Sequence, residues 1–215
     1  MKENFIWKDP QLHKDILEME DIVTENTEDE IYNLIIKNVE KIGDDFYKYE
    51  FVKVHFLNCK FEEVSFEKCW FKEIIFENCQ FNHCSFKNTD LQIVKQINSL
   101  HRNTDFSDST FHFVHFLECN MKYSNFNDCK INGFKSDKSD FNSTFFANST
   151  IVHASLKKTS FCLADFFLTP LNKIDFSDSD IEGIVISENK SELKGIIVNS
   201  YQALELARMF GIIIK

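Results

Sequence analysis

Six of the seven cysteines, Cys59, Cys69, Cys79, Cys84, Cys119 and Cys129, stand five or ten residues apart in two clusters. Thiols at that density could ligate zinc, pair as disulfides or act as nucleophiles. A structural zinc site needs closely spaced pairs such as Cys-x2-Cys, and none occurs. Disulfides are not expected in a reducing compartment. His112 and His115, in FHFVHF, could chelate a metal on a surface, although solvated histidines are the plainer reading. There is no GxSxG, no glycine-rich phosphate loop and no clustered pair of carboxylates in a concave site. The many Ser and Thr residues follow a repeat, so no Ser/His/Asp set stands out. We expect no catalytic residue, no cofactor and no resident metal.

The element that positions these cysteines is a five-residue period. In FVKVHFLNCKFEEVSFEKCWFKEIIFENCQFNHCSF, residues 51–86, a Phe stands at every fifth position. A helix repeats every 3.6 residues and a strand every 2, so neither explains it. From Phe46 to Ile186 the register never slips, and every centre but Gln96, His101 and Ser136 is large and apolar. Two residues before each centre the chain is small or β-branched, and the six cysteines fall there. They read as small hydrophobes facing inward. The other three positions are mostly polar. A chain that buries two residues of five must turn once per pentapeptide. Four sides then close a coil of twenty residues, and coils stack at about 4.8 Å. Adding twenty traces one column: Phe46, Phe66, Phe86, Phe106, Phe126, Phe146 and Phe166. Such a solid core leaves no substrate pocket.

The chain has 215 residues, 24 of them Phe but only 5 Gly and 2 Pro, and a net charge of −10. Residues 1–30 hold ten acids and three lysines, so −7 of that charge sits there. The near-neutral remainder lacks the basic face that direct nucleic-acid binding requires. No apolar run is long enough to span a membrane and no signal-peptide core opens the chain. We expect a cytoplasmic protein with no membrane or nucleic-acid partner.

The ends differ from the body. Residues 1–30 read as an acidic helical cap: Leu12, Ile16, Met19 and Ile22 have helical spacing, and Pro10 suits a first turn. Thr27 and Glu30 could form a capping box for a second helix over 31–42. Against this, Ile31 and Ile36 fall on centres, and Leu34 and Val39 on small positions, so a first coil beginning near Ile31 is the favoured reading. A helix before it would cover unpaired strand edges. Residues 193–215 read as a helix, Tyr201–Phe210, with Ser200 as N-cap and Gly211 as stop, then an apolar tail. Inside the body, Gln96 and His101 are consecutive polar centres. Leu91, Val94, Ile97 and Leu100 fall three apart, which suggests a ten-residue excursion over 91–104. Two weak repeats with tolerated polar centres is the alternative. Ser136 marks a milder break, with Phe134 filling the gap.

The small–polar–Phe/Leu–polar–polar pattern over about residues 31–190 resembles the pentapeptide-repeat family. That resemblance implies an all-β fold, a right-handed quadrilateral β-helix over residues 31–192, between the N-terminal cap and a C-terminal helix. Tyr201, Gln202, Ala203, Phe210, Gly211 and Ile212 resemble the ending of the Qnr quinolone-resistance subgroup. That resemblance implies a homodimer joined through Tyr201, Leu204, Leu206, Met209, Phe210, Ile212, Ile213 and Ile214. It also implies, as one reading, a DNA mimic that binds DNA gyrase or topoisomerase IV. Gln96, Asn98, His101 and Arg102 would then lie on a partner-contact loop, and Asp165, Asp175, Asp178, Asp180 and Glu182 on an acidic band beside the dimer joint. Lysines such as Lys53, Lys60, Lys68 and Lys72 interrupt the acids of the body, and the N-terminal extension departs from the subgroup. The favoured reading is a non-catalytic interaction scaffold for a protein partner.

Overall fold

The computed structural model describes residues 5–12, 17–19 and 29–214. The chain forms a parallel β-solenoid closed by one C-terminal helix. Its strands are β1 (Leu17–Met19), β2 (Glu30–Lys37), β3 (Glu40–Ile42), β4 (Glu50–Leu57), β5 (Lys60–Glu62), β6 (Trp70–Glu77), β7 (Gln80–Asn82), β8 (Asp90–Ile97), β9 (Leu100–Arg102), β10 (Thr110–Leu117), β11 (Lys130–Asp137) and β12 (Thr150–Lys157). The helix α1 spans Ser200–Met209. An eight-stranded sheet runs β1-β2-β4-β6-β8-β10-β11-β12 and a four-stranded one β3-β5-β7-β9. From β2 onward each paired residue meets the one twenty positions later, as Phe51 meets Phe71 and Leu91 meets Phe111. One circuit therefore takes four pentapeptides.

The turn that makes this possible is a left-handed residue two places after each centre. Every fifth residue from Asn33 to Lys173 has positive φ, whatever its type. Asn and Gly suit that region, but Ile93 (φ 58°) and Phe113 (φ 59°) do not choose it freely. The stacked coil imposes the conformation on them.

The centres fill the interior. In the column from Phe46 to Phe166, successive rings stack with centroids 4.7–5.3 Å apart and planes within 22°. That is the offset arrangement aromatic rings prefer. The small positions also bond across coils. Cys69 Sγ donates to Phe46 O at 2.9 Å, Cys129 Sγ to Phe106 O at 3.1 Å, Ser109 Oγ to Phe86 O at 2.7 Å and Ser149 Oγ to Phe126 O at 2.7 Å. Cys, Ser and Thr recur there because each is compact and carries a donor for a buried carbonyl.

Residues 91–104 do not leave the coil. Gln96 and His101 are buried centres, and β8 and β9 keep the twenty-residue register. Ser136 is also buried, bonded to Thr159 Oγ1 at 2.9 Å, while Phe134 fills the space from the preceding small position.

The N-terminal reading needs correction. Leu17–Met19 is a strand, not part of a helix, and pairs in parallel with Leu34–Ile36. A strand satisfies the open edge of β2 directly, which a helix cannot do. Pro10–Leu12 is not helical either, and the rest of the expected helix lies outside the described residues. Glu30–Lys37 is a coil strand rather than a helix.

At the other end the period breaks after Ile186. Asp175 pairs with Ile197, two residues beyond the usual step. A 3-10 turn at Ser191–Leu193 takes up the difference. The N-cap of α1 is Asn199, not Ser200: its side chain accepts from Gln202 N at 3.0 Å, and Gln202 Oε1 accepts from Asn199 N at 2.9 Å.

Candidate functional site

A solenoid with a filled core can act only through its outer faces and ends. Beside Phe134, Phe161 and Phe176 the interior void is about 10 Å³, about the space of one water. The faces are best named by their inward rings: Phe66, Phe71, Phe76 and Phe81, in chain order around one coil.

Counted over the three outward positions of each pentapeptide, charge is unequal among them. The Phe66 face shows Asp45, Glu67, Asp105, Asp108, Asp128, Asp165 and Glu188 against Lys48, Lys68 and Lys87, a net −4. The adjoining Phe81 face shows Glu40, Glu62, Glu63, Asp140, Asp180 and Glu182 against Lys60, Arg102 and Lys122, a net −3. The Phe71 face balances Glu30, Glu50, Glu73 and Asp90 with Lys53, Lys72, Lys130 and Lys173. The Phe76 face sets Glu77, Glu118, Asp137, Asp175 and Asp178 against Lys37, Lys95, Lys135, Lys138, Lys157 and Lys158, a net +1. Two adjacent faces are acidic and two are not. Along any outward column, no more than two acids follow in succession. Exposed ladders such as Lys138–Glu118 (2.9 Å) and Lys122–Asp140 (2.9 Å) neutralise several of them.

Asp165, Asp175, Asp178, Asp180 and Glu182 form a collar over three faces, not one patch. Three of them close turns: Asp165, Asp175 and Asp180 each accept from the backbone N–H two residues on. Asp180 and Glu182 also line an open cleft of about 350 Å³ with Tyr201, Gln202, Glu205 and Arg208.

Of the residues expected on a contact loop, Gln96 and His101 are inside, facing each other with His101 Nε2 2.5 Å from Gln96 Oε1. Burial pushes the His101 pKa down to about 3, so the ring is neutral. Its Nε2–H donates to the amide oxygen. Asn98 belongs to a surface ladder in which Asn58, Asn78 and Asn98 each donate to the Asn one coil earlier. Arg102 is exposed on β9.

Six cysteines are buried, and burial pushes Cys69, Cys119 and Cys129 up to about 12, which leaves them as thiols. His112 and His115 lie on either side of the left-handed bend at Phe113. Among the described residues, no three His, Cys, Asp or Glu are placed to hold a metal ion. No helix of the described residues is long and apolar enough to cross a membrane.

At the C-terminal end, Tyr201 (80% exposed), Phe210 and Ile213 (86%) leave an apolar surface open, with Leu204, Met209, Ile212 and Ile214 also exposed. Leu206 does not belong to it, because it is buried against the last coil. Two residues the repeat did not single out hold this end. Gln202 Nε2 donates to Phe176 O (2.9 Å) and Ser179 O (2.6 Å). Glu192 is buried and accepts from Leu168 N, Ser187 N and Ser187 Oγ at 2.8–3.1 Å. Burial alone would raise its pKa, but these donors outweigh it and the carboxyl sits below its ordinary value. Both could have been suspected as polar residues just past the last regular centre.

Residues 49–126 match the family model described as a pentapeptide repeat region. No curated protein matches the chain in sequence. Among solved structures, a trypsin-treated form of QnrB1, a plasmid-mediated fluoroquinolone resistance protein, is similar at 19% identity and TM-score 0.37, covering 93% of this chain and 98% of that one. Full-length QnrB1 is similar at 16% identity and TM-score 0.32, covering 92% and 97%. HetL from the cyanobacterium Nostoc, a pentapeptide repeat protein involved in heterocyst differentiation regulation, is similar at 10% identity and TM-score 0.25, covering 79% and 91%.

Proposed function

With residues 49–126 matching a pentapeptide repeat region, we propose that the chain is a non-catalytic interaction scaffold of the cytoplasm, a rod whose faces are read by a protein partner. The observation that carries this reading is the interrupted charge: no outward column sustains an acidic stripe that would imitate a phosphate backbone. A solid core and faces of differing charge suit recognition by surface complementarity. Affinity capture tests it. Wild-type protein should retain a partner saturably, and charge reversal on one face should release it. Retention that no face variant alters counts against the scaffold.

A second reading has a specific observation behind it. The Phe66 and Phe81 faces adjoin and together carry −7, which could steer a basic groove such as that of a type II topoisomerase. A gyrase supercoiling assay with and without a fluoroquinolone separates the two. The scaffold reading expects no effect; rescue from the drug, or inhibition without it, transfers the function to DNA mimicry.

In either case the exposed apolar surface of α1 and the tail supports a two-fold homodimer joined there.

A further inference from the structure

Where the Phe71 and Phe76 faces meet, one outward column runs Ile93, Phe113, Gly133 and His153, all with positive φ. Gly133 (φ 89°) leaves a notch between two aromatic side chains. Phe5 fills it. Its ring lies parallel to His153, centroids 4.1 Å apart and planes 9° apart, and stacks on Phe113 at 5.3 Å. A Cβ on Gly133 would stand 3.0 Å from Phe5 Cζ, so the ring occupies the space of the missing side chain. Trp7 packs edge-on against Phe5 at 5.1 Å, and Lys8 Nζ lies 5.5 Å from the Phe113 ring centre. The next column over holds Lys95, His115 and Lys135, and Asp9 is near enough to His115 to oppose the effect of both lysines on it. Ile6 between the two aromatics is 76% exposed.

We propose that this corner is a docking site for a linear segment of a partner protein, one with an aromatic residue followed four places later by a carboxylate, and that Phe5–Asp9 is its resident occupant, displaced when the partner binds. The proposal deepens the scaffold reading by naming the face and the chemistry of its partner. The occupied site is the template: Phe5 fills the Gly133 notch, and a carboxylate four places on, where Asp9 stands near His115, would meet the column that carries Lys95 and Lys135. The corner also joins the two faces that are not acidic, so an acidic segment is drawn to it while the opposite corner repels it. The Phe5 docking point on β11 lies six strand spacings from β1, about 29 Å, and the twelve residues from Phe5 to Leu17 are enough chain to cover that distance. A tether of this kind gives an effective concentration on the order of 1 mM. A segment with an intrinsic Kd near ~0.1 mM would then be closed about ten to one, and a competitor would bind about tenfold more weakly than to the open site.

The test is fluorescence anisotropy with a labelled peptide of residues 1–12 added to the full chain. Phe5→Ala should bind it about tenfold more tightly than wild type. In that background Gly133→Lys should abolish binding. Lys53 holds the same column position at φ 57°, so a lysine at 133 requires the backbone to relax from 89° toward that value, and an unchanged thermal transition confirms that the fold absorbs it. A peptide with its Phe replaced by Ala should not bind, and one with its Asp replaced by Asn should bind less, with a weaker dependence on salt. Equal affinity for wild type and Phe5→Ala, or binding that survives Gly133→Lys, overturns the proposal. So does a dimer by light scattering that Phe5→Ala dissolves, because the occupant would then be a second copy. None of these failures touches the scaffold reading, whose capture assay interrogates every face.

Discussion

His101 and Gln96 share a hydrogen bond at adjacent corners of one coil, inside a core otherwise built of apolar centres. His101 also stacks on Phe81, with centroids 4.5 Å apart. The hydrogen bond satisfies His101 Nε2 and the Gln96 amide oxygen, while His101 Nδ1 stays buried without a partner. His101→Phe alone should cost about 1–3 kcal/mol by orphaning the Gln96 amide. Gln96→Leu with His101→Phe should be neutral or stabilising. Urea denaturation of the two variants checks the pair.

The same pair sets an acid limit. The folded pKa of His101, about 3, lies below its ordinary 6.5. Below pH 6.5 the unfolded chain takes a proton that the folded chain refuses. Stability should therefore fall as pH drops from 6.5 toward 3, by about 1.4 kcal/mol per unit for this group. His115, lowered to about 4 by burial and by Lys135 and Lys95, adds to the same trend. The double variant should flatten the slope of Tm against pH over this range without abolishing it.

Phe126→Ala should cost about 3–5 kcal/mol, because the ring is wholly buried and stacked on both sides. Glu62→Ala, on an exposed position of β5, should stay within about 0.5 kcal/mol. Equal costs in chemical denaturation would refute the inward assignment.

Thiol titration of the native protein should show one reactive cysteine. Cys162 is only partly buried, whereas the other six are inside and out of reach of a reagent; burial also raises the pKa of five of them, while the hydrogen bond with Cys79 lowers that of Cys59. Under denaturant all seven should react. Fast labelling of several thiols in the native state would contradict the packing.

Gln202→Ala removes both bonds from the helix to the last coil and half of its capping box. We expect a loss of about 1–3 kcal/mol, felt locally as earlier proteolysis of α1 while the solenoid persists.

Light scattering should give twice the chain mass, and Ile213→Asp should give the monomer, since it charges the most exposed apolar residue of that end.

Much of the fold was legible because the pattern is redundant. Twenty or more centres agree on one register, so the three exceptions could not shift it. The exceptions themselves were harder to read. Gln96 and His101 suggested a loop because each alone would be a buried polar group without a partner. Their positions as consecutive centres of one coil were the available clue that they face each other. The left-handed residues carried no consistent signal, since Lys, Glu, Ile and Phe all occupy them beside Asn. At the N-terminus, Leu12, Ile16 and Met19 have helical spacing, but the unpaired edge of β2 recruited a strand instead.

The sequence by itself determined what is periodic: the solenoid, its coil length, its inward rings and the chemistry of its small positions. A five-residue repeat demands a turn in every pentapeptide if both inward residues are to be buried, and the family resemblance supplied the four-sided circuit that the twenty-residue strand register shows. Only the tertiary structure decided the contacts outside that period: Phe5 in the Gly133 notch, Gln202 over the last coil, Glu192 beneath the final turn and Leu206 inside rather than on the open surface. Those contacts join residues far apart in sequence with no repeating interval. Which of them forms depends on the space and the unpaired backbone groups that the finished coils leave behind.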